Sequence, residues 1–255
     1  MNRILKYVIL DIIKNKIVIF YTIIIALFSW SAFSLEDNAA KGLLTLLNII
    51  LLTVPLVAIL FATIYIYNSS EFVELLVSQP IKRSKIWWSL FLGLSISLTL
   101  AFILGAGIPI FIFADLYKAL IMIVVGFFIT LIFVALAFLS SIISRDKAKG
   151  IGVSILLWLY FALLFDGLVL FLLFQFSEYP IENMMVFVTA LSPIDLSRIL
   201  VLLQLDVSAM LGYTGAIFKD FFGTYIGLLI SFTLLFLWIC IPFYISLKKF
   251  KNKDL

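Results

Sequence analysis

The sequence predicts an all-α membrane protein with six transmembrane helices and both ends in the cytoplasm. Three observations carry this prediction. The chain is 65% hydrophobic and 13% charged over 255 residues, whereas soluble domains are roughly half apolar and about a quarter charged. Its apolar runs are long enough to cross a bilayer, which takes about 20 helical residues. Fourteen of its eighteen Lys and Arg fall in segments that successive crossings return to one side, and an excess of cations marks the cytoplasmic side.

Residues 1–16 set apolar pairs (Ile4-Leu5, Val8-Ile9, Ile12-Ile13) between Arg3, Lys6, Asp11 and Lys14. That spacing makes one apolar and one basic helix face, as in helices lying in the membrane interface. The first span covers about 17–35. It follows a basic helix and lacks a small-residue cleavage site, so it reads as a retained span and not as a signal peptide. A short acidic turn with Glu36 and Asp37 leads to the second span, about 43–67, interrupted by Pro55. Such a proline is tolerated where neighbouring helices re-satisfy the freed carbonyl.

A polar island follows. Asn68, Ser69 and Ser70 supply cap-forming side chains, Glu71–Gln79 reads as a short amphipathic helix, and Pro80 stops it. Lys82, Arg83 and Lys85 then precede Trp87 and Trp88, the order of residues found where a chain re-enters the bilayer from the cytoplasm. As a structure this is either a plain connecting loop or a surface helix that a partner can push. The third span, about 87–113, is loosened in its outer half by Gly105, Gly107 and Pro109. The fourth covers about 119–144, a second basic loop holds Arg145, Lys147 and Lys149, and the fifth covers about 151–175. The sixth, about 223–246, ends in a basic tail, 247–255. Gly223 and Gly227 form a G-x-x-x-G pair that lets another helix approach closely.

Residues 176–222 lie outside between the fifth and sixth spans. Ser192-Pro193-Ile194-Asp195 has a hydroxyl cap, a proline in the first turn and a carboxylate three residues on, the signature of a helix start. Asp195 and Arg198 then stand one turn apart, able to pair. This helix is expected either to plug the outer surface or to dock an extracytoplasmic protein through Ser192, Pro193, Asp195 and Arg198.

Asp166 lies near the middle of the fifth span, where a charge costs about 2.5–3.5 kcal/mol on insertion scales. No Lys or Arg lies within a span, so the expectation is either protonation or hydrogen bonds from Asn48, Thr63 or Tyr160. It serves packing, or it transmits a conformational change.

No enzyme chemistry is legible. The chain has no His and one Cys, Cys240, too few ligands for a zinc or copper cage. Met184, Met185 and Met210 are the remaining soft ligands, and read as apolar filler. No G-x-x-x-x-G-K-[ST] phosphate loop is present, so ATP hydrolysis belongs to another polypeptide. The net charge of +4 is too small to suggest nucleic acid.

Glu74-Leu75-Leu76, Ser78-Gln79-Pro80-Ile81, Arg83-Ser84 and Ile86 resemble the first cytoplasmic loop of type-2 ABC transporter permeases. Glu71 and Phe72 stand where many members carry Gly-Thr. The resemblance implies the exporter-like permease fold of that family in a bacterial inner membrane. It further implies a homodimer seated on cytoplasmic ATPase subunits that bind the ATP and Mg, with no cofactor on this chain. The ATPase contacts it implies are Glu71, Phe72, Glu74, Leu75, Leu76, Gln79, Pro80 and Arg83. Leu191–Leu200 is similar to the N-P-x-D-x-x-R-L motif of the permeases of Nos-type transporters, with Ser192 replacing Asn, and Asp166 resembles an acid in their fifth helix. That likeness implies a NosF-like ATPase, a NosD-like periplasmic protein, and a role in copper-site maturation of nitrous oxide reductase. The alternatives are an exporter of lipid, peptide or drug, and a membrane scaffold without nucleotide coupling.

Overall fold

The computed structural model describes residues 2–36, 38–144, 146–176, 182–205 and 224–252. Among them all regular structure is helical, and six segments are long and apolar enough to cross a membrane. After α1 (Asn2–Ile13) come span one, α2 (Lys16–Leu35), and span two, α3 (Ala39–Asn68). The short α4 (Ser70–Val77) precedes span three, built from α5 (Arg83–Phe102), a π-helical turn (Ile103–Gly107) and α6 (Ile108–Phe113). Span four is α7 (Leu116–Ile143). Span five joins α8 (Lys147–Leu159), a second π-helical turn (Tyr160–Leu164) and α9 (Phe165–Gln175). The hairpin of α10 (Glu182–Ala190) and α11 (Pro193–Gln204) comes before span six, α12 (Tyr225–Lys251).

Short polar side chains start many of these helices. Asn15, Asn38, Asp146, Ser192 and Thr224 each accept a hydrogen bond from a backbone N–H in the following first turn, which satisfies one of the otherwise orphaned donors. The island is the exception. α3 continues through Asn68, and Ser69 heads α4 without a side-chain cap. Asn68 Oδ1 instead accepts from Lys147 Nζ at 2.7 Å, joining the two cytoplasmic loops.

α7 is the centre of the bundle, contacted by α3, α5, α8, α11 and α12. Of the apolar windows, 61% is buried in α3 and α7 but only 17% in the fifth span, so the fifth span lines the periphery. Apolar burial does not by itself drive helices together in lipid, so close packing and polar contacts hold the bundle. Ser154 of α8 bonds both Thr63 of α3 at 2.8 Å and Ser140 of α7 at 2.7 Å. In membranes such bonds contribute about 0.6 kcal/mol each, up to about 2. Gly150 allows the tightest approach nearby, since a Cβ there would meet the Tyr67 ring and hydroxyl. Tyr67 in turn donates to the Ser144 carbonyl at 2.9 Å.

The helix breakers are accommodated locally. Pro55 leaves the Leu51 carbonyl without its helical donor. Trp158 Nε1 from α8 approaches the same opened turn, donating to the adjacent Leu52 carbonyl at 3.1 Å. Gly105 sits in the first π turn and lets α2 close on it, with Thr22 O 2.9 Å from where a Cβ would stand.

Candidate functional site

The cytoplasmic end is built on α4. Its i, i+3, i+4 spacing turns Val73 and Leu76 inward, both buried. Glu71, Glu74, Leu75, Gln79 and Pro80 stay exposed, with Leu75 67% accessible. Of the other residues expected at an ATPase contact, Phe72 turns back to Tyr7 of α1 at 5.3 Å between ring centroids. Arg83 Nη1 donates to the Lys251 carbonyl at 3.3 Å. The eight thus divide into an outward set and an inward set that ties α4 and its loop to the chain.

Just beyond α4, Trp87 is turned into the protein and is 2% exposed, while Trp88 stays 40% exposed. Trp87 Nε1 donates to Ser246 Oγ of α12 at 3.1 Å. Its ring stacks on Phe250 at 4.2 Å and meets Phe138 of α7 edge-on at 4.8 Å. Phe91 stacks obliquely on Phe243 of α12 at 4.2 Å. This aromatic cluster joins the inner ends of α5, α7 and α12, and such pairs add about 0.5–1.5 kcal/mol each beyond area burial.

The second centre lies on the outer side. Ser192 accepts from the Asp195 N–H at 3.2 Å, and Pro193 opens α11. The hairpin does not lie on the outer surface, as an interfacial plug or platform would. It re-enters the bundle. Gln204 at the end of α11 accepts from the Tyr117 hydroxyl at 3.0 Å, at the outer start of α7. At the other end Ala190 O accepts from Trp238 Nε1 at 3.2 Å, and Trp238 lies about 20 Å along α12 from Tyr225 at 1.5 Å per residue. In a hydrocarbon core of about 30 Å, the tip is therefore deep. Burial of Ile194, Leu196, Ile199, Leu200 and Val201 explains the seating, since these residues cover more than one helix face.

The re-entry changes the environment of Asp166. Arg198 Nη1 stands 3.0 Å from both of its carboxylate oxygens, and 3.3 Å from Asp195 Oδ1. The partners expected from sequence are engaged elsewhere or face outward: Thr63 bonds Ser154, and Asn48 and Tyr160 are exposed. The compensating cation comes from the outer segment, not from a span. Asp166 lies two residues beyond the second π turn, a distortion that recurs at functional sites. Asp195 Oδ2, Ser197 Oγ and Arg198 Nε are buried without hydrogen-bond partners among the described residues. An atom of this kind that stays unpaired costs on the order of 1–3 kcal/mol. Ser192, Pro193 and Asp195 are themselves buried, and Arg198 is 29% exposed.

Sequence reasoning missed the Arg198–Asp166 contact, although a signal existed. A lone intramembrane acid calls for a cation, and whereas Lys41 and Lys118 stand in the first turns of α3 and α7, Arg198 stands in the middle of α11. Lys118 pairs with Asp115 at 3.5 Å. Among the described residues no cluster of three His, Cys, Asp or Glu side chains could hold a metal. The Met184 and Met185 side chains, Met210, Lys219 and Gly223 lie outside what the structure describes.

An apolar six-span bundle with an acidic cytoplasmic helix and a re-entrant outer hairpin narrows the choice of families, and one comparison decides it. Residues 4–255 match the family described as ABC-2 family transporter protein. The chain belongs to that family. It is also similar to the probable ABC transporter permease protein NosY of Pseudomonas aeruginosa, 29% identical over 167 residues, 61% of each chain. This ABC-2 protein is therefore a multi-pass permease subunit.

Proposed function

We propose that this ABC-2 permease works as a homodimer that passes ATP-driven motion through the membrane to a protein outside it. One observation carries the reading. α12 is gripped at its inner end by Trp87, next to the α4 loop, and near its middle it grips the re-entrant hairpin through Trp238 and Ala190. A rigid helix held at both points converts a push on α4 into displacement of the hairpin. Pro242 lies between the two grips. In this reading the outward residues of α4 meet a NosF-like ATPase, which alone binds ATP and Mg. The hairpin and the Asp195–Arg198 region carry the motion toward a NosD-like partner.

The likeness to NosY supports a task in copper-site maturation of nitrous oxide reductase in a bacterial inner membrane. The copper would be cargo of the partners, since this chain has no His and its one Cys, Cys240, lies within α12. A second reading, export of a lipidic cargo along a dimer seam, is favoured by the poorly buried fifth span and the 37% exposure of Asp166. Purification from native membranes in mild detergent, with native mass spectrometry, separates them. Two copies with two ATPases and one extracytoplasmic protein support transmission. Two copies with ATPases and no outer protein favour export, and recovery without any ATPase under conditions that keep other complexes intact overturns both.

A further inference from the structure

One cavity lies at the cytoplasmic end, beside the Trp87 cluster. A groove of about 670 Å³ opens between the inner ends of α7 and α12. Its apolar wall is Ile143, Tyr244 and Ile245, which are 54%, 66% and 39% exposed. Its rim is Lys248, Lys249 and Asn252. Along α12 the positions 241, 244, 245, 248, 249 and 252 fall on one face, so a single stripe passes from apolar to basic toward the cytoplasm. No carboxylate lines the groove among the described residues.

We propose that this groove binds an anionic phospholipid of the inner leaflet, with the headgroup phosphate on Lys248 and Lys249 and an acyl chain against Ile143 and Ile245. The arrangement fits the three parts of such a lipid at their own depths. Two ammonium groups and an amide stand at the headgroup level, and a phenol stands below them, where aromatic side chains favour the interface. The branched apolar side chains face the hydrocarbon. Basic clefts between helices on the cytoplasmic side select anionic headgroups through charge complementarity. An ATPase surface matches the groove less well, because its wall continues to membrane depth at Ile241, which is 55% exposed. An occupied groove would bridge α7 and α12 beside the Trp87 cluster, making the lever's stiffness dependent on the lipid.

The test uses the full-length chain with its ATPase, in detergent containing equal phosphatidylglycerol and phosphatidylcholine, with retained lipids counted by native mass spectrometry. The wild type is expected to retain phosphatidylglycerol preferentially, and Lys248→Gln with Lys249→Gln to lower that preference about 30-fold, the effect of two surface cations. Lys248→Arg with Lys249→Arg is expected to keep it. Lys14→Gln with Lys16→Gln removes the same charge at the same interface outside the groove and is expected to leave the preference in place. Equal retention of the two lipids by the wild type overturns the site. So does an equal loss in the Lys14/Lys16 variant, which would mean diffuse attraction to the whole basic face. If the Arg pair loses the lipid while folded and assembled with the ATPase, charge is not what holds it and the proposal also fails.

Discussion

Arg198, on a helix that enters from outside, stands 3.0 Å from both carboxylate oxygens of Asp166, on the peripheral fifth span. Thirty-two residues separate them in sequence. The contact ties the hairpin to the span that the bundle buries least. Two carboxylates share this guanidinium, because Asp195 Oδ1 also lies 3.3 Å from it.

Breaking the lock from the cationic side is expected to be the more severe change. Arg198→Met leaves two acids facing each other, and because the Arg198 and Asp166 side chains are 29% and 37% exposed, the cost is expected to fall below the roughly 3–5 kcal/mol of a fully buried pair. Asp166→Asn with Arg198→Gln is expected to cost less than the sum of its single changes, by about 0.5–3 kcal/mol. Thermal unfolding of the four proteins in nanodiscs gives the coupling, and strict additivity would remove the lock.

Glu74→Lys and Leu75→Asp alter the exposed face of α4 and leave the buried Val73 and Leu76 in place. Loss of a central contact of at least about 2 kcal/mol weakens ATPase association roughly 30-fold. Pro80→Leu is expected to uncouple as well, by letting α4 run on. Association and permease-dependent ATPase rate check this against membrane insertion, which stays normal. Unchanged coupling in all three would count heavily against a coupling helix.

Trp238→Phe keeps a ring on α12 but removes the donor to Ala190 O, a change of about 1 kcal/mol. ATPase binding at α4 is expected to persist while nucleotide-driven movement of the hairpin shrinks. Spin labels on Ser78→Cys and Gln204→Cys, in a Cys240→Ala background, measure it. A full-amplitude distance change in the Phe variant would show that α12 does not drive the hairpin.

Gly150→Ala places a methyl where the Tyr67 ring and hydroxyl lie. Tyr67 must shift and loosen its bond to Ser144 O, with a cost of about 1–3 kcal/mol from overpacking. Adding Tyr67→Phe relieves part of the clash by removing the hydroxyl. Melting temperatures of the single and double variants check this, with the double expected to lie above Gly150→Ala.

Much of this protein was legible before any fold. Six apolar runs and a one-sided distribution of Lys and Arg determine the spans and the orientation, because bilayer thickness and loop charge act on the chain locally. The cap at Ser192, the break at Pro80, and the Asp195–Arg198 spacing are local as well, and each shows in residues within one turn. Asn68 shows where local reading stops. It has the chemistry of a cap, yet it accepts from Lys147 Nζ in the next cytoplasmic loop, because α3 runs on through it.

Only the tertiary structure decided the depth of the hairpin, the cation that meets Asp166, and the joining of Trp87 and Trp238 to one helix. Periodicity states which side chains share a face but not which neighbour that face meets. α11 reads equally well as a surface helix with an ion pair or as an inserted one whose Arg198 has a partner in another span. The choice rests on whether Asp166 stands within reach, and a separation of 32 residues leaves that to the packing of the whole bundle.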